Sequence, residues 1–126
     1  MIYKIKDFDG EELKIKTRLE LYKVRDFMGM EMPSLAIVLE EVTNEYTEPY
    51  GKLTVSFGEF IGMKNCAYID TNNCYFADQL LEQGIAKETG FTKHSGFCVY
   101  PLWMFDEQTL REMGAENYEK YSKAYR

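Results

Sequence analysis

The sequence predicts a single α+β domain over residues 1–126, built from a mainly antiparallel sheet of about five strands and two helices. Three observations lead to this prediction. Apolar and polar residues alternate strictly over residues 13–21, which is typical of a strand with one buried and one solvated face. A near-continuous apolar run follows at residues 35–39, and two later segments place apolar residues at helical spacing. No linker or change of composition marks a second domain.

The first predicted element is a hairpin. Residues 3–6 alternate like residues 13–21, and Phe8-Asp9-Gly10 lies between the two segments. A two-residue turn would put apolar groups on both faces of the hairpin. A three-residue loop, with Gly10 in the left-handed conformation, pairs Ile5 with Leu13 and keeps the apolar groups on one face. We therefore predict the three-residue loop with a bulge.

The middle of the chain is expected to form a second hairpin or meander. Residues 27–34 are predicted as a loop, and residues 35–39 as a strand covered on both faces. A turn-rich stretch at 44–51 precedes a second alternating run at 53–57. Residues 66–69 are a candidate for a short fourth strand.

The first helix is expected after residues 71–73, any of which could cap its N-terminus. Gly84 would end this helix, and residues 87–96 would follow as a polar loop. The aromatic-rich stretch at 97–105 is predicted as a strand. Because Pro101 lacks one ladder donor, it should lie on an edge strand or at a strand end.

Asp106 is predicted to cap the last helix, and Gly114 to break it in two. Its C-terminal tyrosines have two interpretations. They either dock the helix onto the sheet or leave an aromatic face open to a partner. These tyrosines are Tyr118, Tyr121 and Tyr125.

Composition and charge exclude several classes of protein. The chain has 15 basic and 21 acidic residues, and this net charge of −6 makes direct binding to a nucleic-acid backbone unlikely. The N-terminus has no apolar signal segment, and no apolar run approaches the roughly 18 residues that a membrane span needs. We expect a cytoplasmic protein that does not bind membranes.

The cysteines suggest no reactive centre. Cys66, Cys74 and Cys98 form no C-x-x-C pair, and with His94 they lack the spacing of a structural zinc site. Cys98 and His94 are the only candidate thiolate–imidazole pair, and Cys98 lies in an apolar strand where packing is the simpler role. The sequence therefore predicts no catalytic residue, no metal and no cofactor.

An acidic segment with tyrosines is the first candidate site. Residues 31–63 carry six glutamates against a single lysine. Such a strip suits a basic protein surface, including one that normally holds nucleic acid, although it could also be a solvated hairpin end. The predicted partner-binding residues are Glu40, Glu41, Glu45, Tyr46, Glu48 and Tyr50.

A polar turn is the second candidate. Asp70, Asn72 and Asn73 lie at a strand-to-helix junction, where such side chains bind a small ligand or cap the helix. A ligand pocket would require His94 and Ser95 to meet this turn in space.

Three motifs resemble a small family of domains of unknown function from bacterial mobile elements, such as conjugative transposons and prophages. They are PYGKLTV at 49–55, AYIDTNN at 67–73 and SGFCVYPL at 95–102, with Gly84-Ile85-Ala86 and Thr89-Gly90 between the last two. The resemblance covers 49–106 and omits the N-terminal hairpin and the last helix. It implies a genetic context, in which small proteins often inhibit host defence or regulate transfer, and it implies no activity.

These observations favour a non-enzymatic protein-interaction domain, an acidic inhibitor of a host defence or nucleic-acid-binding protein with a basic surface. The alternative is a small enzyme or ligand-binding domain with a pocket near 70–73 and 94–95. A homodimer, formed through the edge near Pro101 or through the tyrosine helix, is a third possibility.

Overall fold

A computed structural model describes residues 1–125 as an α+β domain with two antiparallel sheets. The first sheet has the order β1-β2-β3-β4, formed by Ile2–Lys6, Glu12–Arg25, Glu31–Val42 and Thr47–Lys52. The second has the order β5-β6-β8-β7, formed by Thr54–Val55, Cys66–Ile69, Cys98–Met104 and Lys87–Ser95. The helices are α1 (Ala77–Glu82) and α2 (Glu107–Ser122). The predicted class is confirmed, with eight strands in two sheets among the described residues rather than about five in one.

The N-terminal hairpin has the predicted register. Ile5 pairs with Leu13, and Lys6 pairs with Glu12. Gly10 has a φ of 83°, and its N–H donates to the Asp7 carbonyl at 3.1 Å. The burial of one face of the strands therefore did select the register, as the sequence indicated.

β3 has the expected double-sided burial, because Leu35, Ala36 and Ile37 are all at most 2% exposed. It begins earlier than predicted. The expected loop at 27–34 is confined to residues 26–30, since β2 continues to Arg25 and pairs it with Glu31. The apolar residues of this tight turn remain exposed.

The expected turn at 44–51 is largely strand. β4 pairs with β3 and places Pro49 opposite Glu40, with a bulge beside them. An edge strand bonds on one side only, so it tolerates the Pro and Gly that made this segment look like a turn. The predicted strand at 53–57 is reduced to the two residues of β5. Leu53 still joins the sheets, because its N–H donates to the Ile37 carbonyl at 2.9 Å.

The predicted polar loop at 87–96 is wrong, because these residues form the edge strand β7. Its side chains are mostly exposed on both faces, so no alternation marks it in the sequence. A bulge between Glu88 and Thr92 interrupts its pairing with β8. β8 is thus an interior strand, but its pairing with β6 stops at Leu102, so that Pro101 has a strand partner only in β7.

α1 begins later than the sequence indicated. Its N-cap is Phe76, without a side-chain cap, so the caps predicted at 71–73 are wrong. The predicted C-terminus is confirmed. Gly84 has a φ of 83°, its N–H donates to the Leu81 carbonyl, and the Ile85 N–H donates to the Leu80 carbonyl. These two bonds form a Schellman motif.

α2 docks on β2 as two segments. Asp106 is its N-cap, without a side-chain cap bond, and Gly114 interrupts it with non-helical angles, as predicted. The Asn117 side-chain amide donates to the Leu19 carbonyl at 2.9 Å. Tyr118 and Tyr121 are at most 1% exposed, so they dock the helix rather than offer an open face.

The same tyrosines hold the loop that precedes β6. Asn65 has a φ of 67°, and its N–H donates to the Tyr121 hydroxyl at 2.8 Å. Tyr118 donates to the Asn65 side-chain oxygen at 2.8 Å, and Tyr125 donates to the Ile61 carbonyl at 2.6 Å.

No helix within residues 1–125 combines the length and the apolar character that crossing a bilayer demands.

Candidate functional site

One end of the first sheet gathers acidic residues from two turns. In an antiparallel meander, the turn between β1 and β2 and the turn between β3 and β4 lie at the same end. Asp7, Asp9 and Glu11 of the first turn, with Glu41 at the end of β3, surround a surface depression of about 480 Å³. We call this surface the acidic end; its carboxylates are Asp7, Asp9, Glu11, Glu41, Glu45 and Glu48, and its rings are the exposed Phe8, Tyr46 and Tyr75 and the half-buried Tyr50.

The rings at the acidic end are ordered by contacts with one another. Phe8 is 84% exposed and stacks on Tyr75 with a centroid separation of 3.9 Å. The hydroxyls of Tyr50 and Tyr75 lie 3.5 Å apart, and Tyr50 also contacts Phe76. Burial, and next the neighbouring Tyr75 hydroxyl, raise the pKa of Tyr50. Tyr50 is therefore a neutral hydrogen-bonding group at physiological pH.

The turn that carries Phe8 is held by a carboxylate. The Asp7 Oδ1 accepts the backbone N–H groups of Asp9 and Glu11, both at 2.9 Å. This arrangement is an Asx-type turn, which fixes the loop without help from the rest of the domain. Phe8 is thus presented outward by a preorganised backbone.

Most of the predicted acidic strip comes together here. Glu41 lies directly opposite Glu48, so both side chains are on one face of the sheet. Glu41 and Tyr50 line the same depression. Glu45 and Tyr46 belong to the exposed turn beyond them, where a hydrogen bond with Glu48, the largest cause, raises the pKa of Tyr46.

Glu40 is the exception. It lies opposite Lys16 on the other face of the first sheet, and its carboxylate is 3.4 Å from the Arg18 Nε. Alternation along β3 explains this placement, since adjacent residues of a strand point to opposite faces. Glu40 therefore belongs to a charge pair and not to the acidic end.

The second predicted site is divided. Asp70 accepts two bonds from Asn73, through the side-chain amide at 2.8 Å and the backbone N–H at 3.3 Å. Both residues line a cavity of about 430 Å³ that shares Tyr50 and Tyr75 with the acidic end. Asn72 is exposed beside them.

His94 and Ser95 lie elsewhere in the second sheet. They pair with Val99 and Cys98 on β8, and β8 separates them from β6, which precedes Asp70. Two inter-strand spacings amount to roughly 10 Å, and neither His94 nor Ser95 lines the cavity that Asp70 and Asn73 share. A ligand at Asp70 and Asn73 stays a prediction without these two residues.

The cysteines are separate and free. Burial raises the pKa of the Cys66 thiol, and burial with the nearby Asp70 carboxylate raises that of Cys74 to about 11. Cys74 donates to the Lys52 carbonyl at 3.2 Å. Within residues 1–125, no three His, Cys, Asp or Glu side chains are grouped to hold a metal ion.

Sequence reasoning missed the N-terminal half of the acidic end. The sequence pattern identifies Asp9 only as part of the hairpin loop and gives Asp7 and Glu11 no role, because nothing local shows which other turn is their neighbour. The alternation that predicted a meander could have placed them beside residues 43–46. The sequence also contains no indication of a cavity of about 350 Å³ beside the loop at 56–63. The residues of this loop follow neither the period of a strand nor that of a helix.

Comparison with known proteins gives a family and no function. A family model described as a domain of unknown function, DUF4313, matches residues 22–125. The match extends beyond the 49–106 stretch that carried the resemblance, and includes α2. No curated protein and no solved structure matches the chain significantly.

Proposed function

We propose that this chain, which belongs to the DUF4313 family of domains of unknown function, is a non-enzymatic domain that binds a basic surface of a partner protein through its acidic end. The observation that carries the proposal is the convergence of four carboxylates, three from the turn between β1 and β2 and one from the end of β3, around the rings of Phe8, Tyr50 and Tyr75. Carboxylates beside the faces of aromatic rings suit arginine, which pairs with the first and stacks on the second.

The cost of this arrangement supports a binding role. Glu41 and Glu48 are directly opposite, and like charges in that position destabilise a sheet. Among residues 1–125, no basic side chain lines the depression beside Glu41. A cation from a partner would relieve the repulsion between these two carboxylates. The negative charge of the acidic end is therefore complementary to a basic partner surface.

The finer proposal concerns the partner. We propose that the chain acts in the cytoplasm as an inhibitor encoded by a mobile element, and that it covers the basic surface of a host defence or nucleic-acid-binding protein. The motif resemblance supports the genetic context. The acidic end supports the choice of partner, because a surface that holds a phosphate backbone is basic.

Affinity purification from nuclease-treated bacterial lysate, with identification by mass spectrometry, tests the proposal. The wild-type chain should retain a stoichiometric protein that is released by salt. The double variant Glu41→Lys with Glu48→Lys should lose it. The matched control, Glu88→Lys with Glu116→Lys, makes the same change in net charge at exposed positions of β7 and α2 and should keep it.

Equal retention of the partner by both double variants would refute binding through the acidic end. If no protein is enriched from several hosts, the cavity at Asp70 and Asn73 becomes the leading candidate. Its test is a thermal-shift screen of metabolites with Asn73→Ala, where a ligand-induced shift lost in a folded variant would support a ligand-binding domain.

A further inference from the structure

An exposed apolar patch lies at the opposite end of the first sheet from the acidic end. We call it the apolar face. The tight turn between β2 and β3 carries most of it, and the loop before β6 and strand β7 complete it. Its residues and their exposed fractions are Phe27 (97%), Met28 (75%), Met30 (63%), Phe91 (60%) and Met63 (37%). Soluble monomers rarely expose a large contiguous apolar patch without a binding role.

The apolar face combines projecting side chains with a cavity. Phe91 and Met63 line the cavity of about 350 Å³, together with Phe57, Phe60 and Tyr68. A second depression, lined by Phe27, shares Phe60 and Gly62 with this cavity. Phe27 is therefore connected to Phe91 on β7 through the residues that the two depressions share.

The turn that carries Phe27 and Met28 is rigidly held. The Asp26 carboxylate accepts the backbone N–H groups of Met28 and Met30, both at 2.9 Å. Arg25 donates from its side chain to the Gly29 carbonyl at 2.8 Å. Its backbone is bonded at 3.0 Å to both Gly58 and Phe60, which anchors the turn beside the cavity. A preorganised projection loses little conformational entropy when it is buried.

We propose that the apolar face is the interface of a homodimer, in which Phe27 and Met28 of each copy enter the cavity of the other. Projection and cavity lie on the same face, which is the requirement for a self-complementary contact around a twofold axis. A second copy of this chain is therefore the occupant that fits without further assumptions about shape.

The available area agrees with a dimer. The five side chains expose roughly 650 Å² in total, at about 200 Å² for a fully exposed large apolar side chain. A stable interface buries about 800 Å² on each partner, and the cavity walls supply the remainder. The Glu59 carboxylate at the rim already has a cation, since the Lys93 Nζ lies 2.9 Å away. Docking would thus leave this carboxylate paired.

Sedimentation velocity on the full chain over a range of concentrations tests this proposal. The wild-type protein should sediment as a species of about twice the chain mass of 14.8 kDa. Phe27→Asp and Met28→Asp should each weaken the dimer roughly tenfold or more, because both introduce a charge into its centre. Phe97→Asp is the matched control, since Phe97 is fully exposed and lies outside the apolar face.

The outcomes are distinct from those for the acidic end. Glu41→Lys with Glu48→Lys should leave the dimer intact, whatever it does to partner binding. A wild-type chain that stays monomeric at about 100 μM, on the scale of weak complexes, would overturn the proposal and assign the apolar face to another protein. A dimer that persists in Phe27→Asp and Met28→Asp with native circular dichroism would overturn it equally.

Discussion

The close approach of α2 to β2 depends on a residue without a side chain. A Cβ at Gly114 would lie 3.2 Å from the Leu19 carbonyl oxygen and 3.4 Å from the Leu19 Cβ. Leu19 is in the middle of β2, paired with Ile37 of β3, so its backbone cannot move aside easily. The backbone angles of Gly114 are accessible to other residues, so the restriction is one of space.

Gly114→Ala should therefore lower the free energy of unfolding by about 1–2 kcal/mol, through overpacking against β2. Urea denaturation measures this change. Gly62→Ala is the control, because nothing lies within 4 Å of a Cβ at that position. An alanine at position 114 that is as stable as the one at position 62 would show that α2 can move away from β2.

A buried thiol makes stability depend on pH in the alkaline range. Burial, helped by Asp70, raises the pKa of Cys74 from 9.0 to about 11. The unfolded chain therefore ionises this thiol first, and the contribution to stability is complete below pH 9 and is lost as the pH rises towards 11.

Cys74→Ala should accordingly reduce the slope of unfolding free energy against pH between pH 9 and 10. The variant also loses the bond to the Lys52 carbonyl, which lowers stability at every pH, so the slope is the informative quantity. Equal slopes for the variant and the wild-type chain would contradict a buried neutral thiol.

At the scale of elements, two glutamines close an edge of the first sheet. The Gln83 side-chain amide accepts from the Lys4 N–H at 3.2 Å and donates to the Lys4 carbonyl at 2.6 Å. Gln79 does the same with Lys6, at 2.7 and 3.0 Å. Because the two glutamines are one helical turn apart, α1 replaces a neighbouring strand and protects β1 from pairing with other chains.

Gln79→Ala with Gln83→Ala should cost about 2 kcal/mol of stability, since four hydrogen bonds are lost and their partners become solvated. The free edge should also increase aggregation, which light scattering detects. Gln108→Ala is the control, because within the described part of the chain its side chain bonds only to Glu112 on the same helix. A double variant as stable and as soluble as that control would mean that the edge needs no cover.

Elements were predictable where side chains are buried on one or both faces, and were missed where most side chains are exposed. The register of β1 and β2 follows from alternation, the strands β3 and β6 from short apolar segments, and the end of α1 from a left-handed glycine at position 84. β4 and β7 were missed because both are edges with few buried side chains. These edge strands are hydrogen-bonded to a neighbour on one side only, and their side chains are exposed to solvent on both faces. Neither an apolar–polar alternation nor an apolar composition therefore identifies them in the sequence.

At the scale of the whole molecule, the two proposed surfaces are at opposite ends of the first sheet. β2 has 14 residues and spans about 45 Å between them. Association of two chains through their apolar faces would leave both acidic ends free. A dimer of this kind would hold two copies of the binding surface, and would engage a dimeric partner with increased avidity.

Only one of the two segments that form the acidic end could be predicted from the sequence. Its glutamates in residues 41–48 are close in sequence and were identified by charge. Asp7, Asp9 and Glu11 join them only through the topology of the meander, which brings the two turns to one end. The apolar face was missed for a different reason, because exposure of Phe27 and Met28 depends on how tightly the turn closes, and the sequence indicated a longer loop.

The central claim is that the acidic end binds cationic protein surfaces, and an NMR titration tests it most directly. Isotope-labelled protein is titrated with a short arginine-rich peptide, and amide shifts are followed at low and high salt. We expect saturable shifts confined to residues 7–11, 41–50 and 75, abolished by salt and absent in Glu41→Lys with Glu48→Lys. Shifts spread over the second sheet, or shifts unchanged in the double variant, would contradict the proposed function.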